Sequence, residues 1–200
     1  MSWIETISYE SASGRLKKLY DRIKGPNGVL DNVLTVHSLR PHSLEGHMTL
    51  YKAVLHHSGN KLPKWYLELL GTYVSRLNEC KYCAEHHAVG FQRNLKNDIL
   101  FERLMAAIET EKFESILDQK LISGIEYAKL LTQAPFRINE SHITHMKEEG
   151  LSDGEILEIN QVTSYFNYVN RSVLGLGVHL EKENIGLSPQ SSDSSDWAHQ

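Results

Sequence analysis

Apolar residues along this chain recur at three- and four-residue steps and do not alternate, so the pattern reads as helix nearly throughout. Leu16, Leu19, Tyr20 and Ile23 mark a first helix, stopped by Gly25-Pro26-Asn27-Gly28. A short helix is expected from Asp31 to Leu39, ending before Pro41. Leu44, Met48, Tyr51, Val54 and Leu55 trace a third, closing near Gly59-Asn60. Pro63 suits the first turn of the next, carried by Tyr66, Leu67, Leu70, Tyr73, Val74 and Leu77. Beyond the middle of the chain, Asn97 is placed to cap a helix containing Ile99, Leu100 and Leu104, and a longer one is expected from Ser115 to Thr132, before Pro135. Asn139 opens another that closes at Gly150. Ser152-x-x-Glu155 has the capping-box pattern for a last helix running through Arg171. The expected class is all-α, as one domain over residues 1–187. From Ser188 the Ser- and Asp-rich sequence reads as a disordered tail over 188–200.

Composition narrows the function classes. Two hundred residues at 40% hydrophobic and 23% charged are enough for an ordinary core without staples. Twenty-one basic against 25 acidic residues leave a net charge of −4, which argues against nucleic acid as a partner. The opening Met1-Ser2-Trp3-Ile4-Glu5-Thr6 lacks the pattern of a signal peptide, and no apolar run approaches the roughly 18 residues of a membrane span. A soluble, cytoplasmic protein is expected.

The cysteines carry the chemistry. There are two, Cys80 and Cys83, in the segment Glu79-Cys80-Lys81-Tyr82-Cys83-Ala84-Glu85-His86-His87. A secreted disulfide scaffold would hold more, spread over longer loops; a lone CxxC in a reducing compartment points to redox chemistry or a metal. Cys83 and His87 are four apart and share a helix face. In the first turn of a helix, Cys80 and Cys83 can approach to disulfide distance. Glu68 enters by geometry. On one unbroken helix it would lie about 18 Å from Cys80. A reversal at about residues 77–78 instead brings Glu68 level with His87, giving a relay from Glu68 to His87 to Cys83.

Glu68-x11-Cys80-x-Tyr82-Cys83-x3-His87 resembles the motif of the alkylhydroperoxidase D (AhpD) family, within the carboxymuconolactone decarboxylase-like superfamily. The Tyr-Cys pairing, the double histidine and the later Tyr165-Phe166-Asn167-Tyr168-Val169-Asn170-Arg171 stretch are similar to its peroxidase-related branch. That resemblance implies an AhpD-like helical bundle, assembly as a homotrimer or homohexamer, and reduction of small organic hydroperoxides with reset by a dithiol or thioredoxin-like reductant. It implies no bound cofactor, metal or membrane. By the same resemblance Cys83 is the attacking thiol, Cys80 the resolving one, His87 the proton relay and Glu68 its support. The order of the two thiols stays open, because a CxxC at a helix start usually favours its first cysteine. The chain departs from the family pattern at Tyr82, where AhpD carries histidine.

Blander readings accompany these. Cys80, Cys83, His86 and His87 are residue types that zinc accepts, so a zinc-stabilised binding module is an alternative, as is a redox sensor without turnover. The haem-attachment pattern fails at Ala84. His86 is expected at solvent or an interface. Tyr82 is either a packing aromatic or a proton donor. Asn167, Asn170 and Arg171 are assigned to helix packing or subunit contacts, and His37, His42, His47, His56 and His57 to the surface. Glu68 precedes Cys80 by 12 positions and Glu158 precedes Asn170 by 12, a weak internal echo.

Overall fold

The structure of the protein, a computed structural model, describes residues 2–181, 185–189 and 196–199. Among these residues there are nine α-helices and no β-strand: α1 (Gly14–Ile23), α2 (Asn32–Thr35), α3 (Pro41–Leu55), α4 (Lys64–Leu77), α5 (Lys81–Leu95), α6 (Asp98–Thr110), α7 (Gln119–Gln133), α8 (Glu140–Glu148) and α9 (Asp153–Gly175). No helix among them is long and apolar enough to cross a membrane.

The caps read from sequence set several boundaries. Asn97 accepts from the Leu100 N–H, and both Asn139 and Ser152 form capping boxes. Each such cap stabilises its helix by about 1 kcal/mol. Pro41 starts α3, because its fixed φ suits the first turn and its missing N–H leaves nothing unsatisfied there. One expectation differs. The helix expected over residues 31–39 shrinks to the single turn of α2, followed by further turns.

α4 and α5 form the central helical hairpin and are the most closely packed pair. The reversal falls on Asn78 and Glu79, and Glu79 takes a left-handed backbone with φ 56°. Cys80 N–H then donates to the Ser75 carbonyl at 2.8 Å, locking the turn. α9 lies across α4 and also packs on α3, α5 and α7. Close approach of α4 and α9 depends on Gly71, where a Cβ would sit 2.2 Å from the buried Phe166 ring. Phe166 in turn meets His87 edge-on, with ring centroids 4.5 Å apart. Packing of α9 against the hairpin therefore fixes an imidazole as well as the core.

Part of the tail expected over 188–200 belongs to the described residues. Residues 190–195 and 200 lie outside the described residues, but Ser188, Trp197 and His199 are buried. Trp197 is an aromatic anchor within an otherwise polar segment. Its ring lies 3.9 Å from the Arg22 guanidinium, and Pro189 and His199 form an antiparallel bridge. Composition averaged over the segment concealed these single contacts.

Candidate active site

Glu68 comes from the middle of α4, Cys80 caps α5, and Tyr82, Cys83, His86 and His87 follow on α5. The hairpin brings Glu68 and His87 together: Glu68 Oε2 lies 2.7 Å from His87 Nδ1, with the carboxylate only 1% exposed. Gly90, one turn beyond on α5, makes the space for it. A Cβ there would lie 3.0 Å from Glu68 Oε2 and 3.1 Å from Oε1. Gly90→Ala is expected to displace the carboxylate by tenths of an ångström. Because misplacement of a positioned group carries a steep catalytic penalty, turnover should fall about tenfold at unchanged helix content. Steady-state kinetics beside far-ultraviolet circular dichroism checks this.

The two sulfurs lie 3.1 Å apart, in hydrogen-bond contact, and both cysteines are buried and free. Their thiols are pushed in opposite directions. Hydrogen bonds from the Cys83 thiol and from the Cys83 backbone N–H, against an opposing effect of burial, lower Cys80 below the ordinary thiol range. This is the anion-favouring environment of a helix N-terminus. Cys83 is raised well above that range by its contact with Cys80 and by burial, opposed by a hydrogen bond from Asn170. The sulfur's polar neighbours are Cys80 and Asn170, whereas His87 shares the cavity wall one helical turn away.

That cavity has a volume of about 40 Å³ and is lined by Cys83, His87, Glu68, Tyr51, Tyr165 and His47, among others. It is a small space, with room for a few waters. Cys80 instead lines a separate outer groove with Trp3, Lys81 and Leu174. The two sulfurs of one pair thus face different spaces.

Tyr82 does not point its hydroxyl at sulfur. It donates to Glu181 Oε1 at 2.8 Å and accepts from the Val33 N–H at 3.2 Å. Burial and then the nearby Asp31 and Glu181 carboxylates raise the phenol well above its usual value, so the hydroxyl stays protonated. His86 is buried, against the expectation of solvent. It stacks on Tyr82 at 4.5 Å, sits 2.7 Å from Glu181 Oε2, and accepts from the Gly186 N–H at 3.2 Å. Glu181 is held below the ordinary carboxylate range; burial opposes this, and the hydrogen bonds from His86 and the Asn32 N–H outweigh it.

His47 and His56 are also buried rather than on the surface, while His42 and His57 are exposed and His37 is half-buried. Burial pushes His47 down to about 3, with His37 and His199 adding to it, and burial likewise lowers His56. Both are neutral rings packed against Tyr51. Aromatic stacking replaced the polar surface role that residue type alone suggests.

Asn170 is the site residue that the sequence reading assigned to packing. It is fully buried, donates to Ser75 Oγ at 3.1 Å and accepts from Asn78 Nδ2 at 3.0 Å. Asn78 also donates to Asn167, so the reversal, α9 and Cys83 share one amide network. The 12-residue echo between Glu68/Cys80 and Glu158/Asn170 was the available signal. For the zinc alternative, no group of three His, Cys, Asp or Glu side chains among the described residues is arranged to hold a metal ion. His86 and His87 face separate carboxylates instead.

No family model matches the chain, and neither does any curated protein. Solved structures do. The fold is AhpD-like. The chain is similar to an uncharacterized peroxidase-related protein with an alkylhydroperoxidase AhpD core from Ralstonia eutropha JMP134, at TM-score 0.74 and 18% identity, over 90% of this chain and 93% of that one. An uncharacterized peroxidase-related protein from Silicibacter sp. TM1040 matches at TM-score 0.73 and 20% identity, over 90% and 92%. The debrominase Bmp8 in complex with 2,3,4-tribromopyrrole matches at TM-score 0.70 and 16% identity, over 91% and 95%.

Proposed function

We propose that this chain is a thiol-dependent peroxidase that reduces organic hydroperoxides with the Cys80/Cys83 pair and is reset by an external dithiol. The observation that carries the reading is one dithiol at 3.1 Å whose second sulfur shares a cavity with a Glu68-supported His87.

In this scheme His87 takes the Cys83 proton as the sulfur attacks the terminal peroxide oxygen. An S–O bond forms, the O–O bond breaks, and the alkoxide leaves and collects that proton as alcohol. Two electrons have passed from sulfur to peroxide, leaving a sulfenic acid. Cys80, the sulfur more readily ionised, then attacks Cys83; the S–S bond forms and water leaves. A dithiol reaching the outer groove beside Cys80 returns two electrons and two protons by exchange. Glu68 orients the His87 ring and stabilises its charged form.

The debrominase neighbour brings a halogenated pyrrole to this fold. The small cavity beside Cys83 suits a peroxide better than a tribrominated ring, which favours the peroxide reading. The test is one equivalent of ethyl hydroperoxide added to the reduced protein, followed by mass spectrometry of the peptide containing both cysteines. Loss of two hydrogens' mass, with release of one ethanol, is expected. Thiols that remain free after that addition would remove the reading.

A further inference from the structure

The cavity over Cys83 is roofed by the C-terminal segment: Gly186, Leu187, Ser188 and His199 complete its wall. The segment is tied down at several points. Gly186 N–H donates to His86 Nδ1, and Arg93 donates to the Gly186 carbonyl at 3.0 Å and to Ser188 Oγ at 2.6 Å. The Lys52 ammonium donates to the Asp196 carbonyl, and Trp197 lies against Arg22. His199 Nδ1 reaches Asp31 Oδ2 at 3.1 Å, with the two residues 5% and 4% exposed.

This pair leaves two buried atoms facing inward. Asp31 and His199 both line the cavity, and neither Asp31 Oδ1 nor His199 Nε2 has a hydrogen-bond partner among the described residues. Asp31 Oδ2 and His199 Nδ1 satisfy each other, so Asp31 Oδ1 is left as an acceptor without a donor and His199 Nε2 as a second unpartnered polar atom. Leaving such groups buried and unmatched is costly, so the site suits a molecule bearing O–H. A peroxidic O–H meets that need; a dialkyl peroxide, which has none, does not. The small volume sets the second limit, since the space beside Cys83 favours a peroxide group with a short substituent.

We propose that the C-terminal segment is the specificity element of the site, with Leu187 and Trp197 holding a roof and Asp31–His199 binding the O–H, so that the chain selects hydrogen peroxide and short-chain hydroperoxides. The substrate class rests on the peroxidase reading above; the roof does not. Two full-length variants, Trp197→Ala and Leu187→Ala, separate the two. Neither residue touches the reacting atoms, and two variants guard against misfolding of one.

The first measurement is alkylation of Cys83 by iodoacetamide and by a bulky fluorescein maleimide, assigned by peptide mass spectrometry. In the unsubstituted chain the bulky reagent is expected to react far more slowly, and either variant should accelerate it at least about tenfold relative to iodoacetamide. The second is the ratio of kcat/KM for cumene hydroperoxide to that for hydrogen peroxide, which should rise about tenfold in the variants. His199→Ala should instead raise the KM for hydrogen peroxide. Unchanged labelling and unchanged ratios in both variants would overturn the roof. Faster labelling in a chain that turns over no hydroperoxide would keep the roof and discard the peroxidase. Peroxide turnover with flat ratios would do the reverse.

Discussion

Cys83→Ser is expected to abolish catalytic consumption of ethyl hydroperoxide, lowering kcat/KM by about 10³-fold or more, because a serine hydroxyl neither ionises near neutrality nor accepts oxygen as sulfur does. Cys80→Ser should behave differently. It keeps the cavity-facing sulfur, so one equivalent of peroxide is still consumed and a sulfenic acid accumulates at Cys83, trapped with dimedone and located by mass spectrometry. Multiple turnover then fails because nothing resolves that acid. The distinction matters because the more acidic thiol is Cys80, not Cys83. Acidity alone would name Cys80 as the attacker. Access names Cys83, which shares the cavity with His87 while Cys80 faces the outer groove. A burst in Cys83→Ser and none in Cys80→Ser would show that acidity wins, and the two roles would be exchanged.

Glu68→Gln gives the second large effect. The amide preserves volume and a hydrogen bond to His87 but removes the charge that supports a protonated ring. The kcat is expected to fall about 10²-fold, within the range of a disabled acid–base group. Glu68 lies behind His87 and acts through it, so KM for the peroxide should change less than about threefold. Glu68→Asp, which keeps the charge at a longer reach, should recover part of the loss. A merely structural Glu68 predicts another outcome: the amide would lower thermal stability and raise KM with kcat little changed. Kinetics beside a melting curve decides between them.

Much of this site was legible along the chain. The Glu68, Cys80, Cys83 and His87 spacing identified the four residues, and a reversal near Asn78 was required for them to meet. Glu79 supplies that reversal in a left-handed backbone, which few side chains adopt and no propensity at that position announced. Gly90 carries no mark of its role along the chain, yet its missing Cβ is the space the Glu68 carboxylate fills. His47 and His56 read as surface residues and His86 as a solvent or interface residue, and stacking against Tyr51 and Tyr82 buried them.

By itself the sequence determined an all-helical chain, several of its caps and a single CxxC pair, because apolar period, capping chemistry and CxxC spacing are local properties written over a few residues. Only the tertiary structure decided which sulfur faces the cavity, which thiol is the more acidic, and that Gly186, Leu187, Ser188 and His199 line the space beside Cys83. Those depend on burial and on contacts spanning more than 90 positions, such as Gly186 with His86 and His199 with Asp31, and such contacts exist only once α4, α5 and α9 have packed.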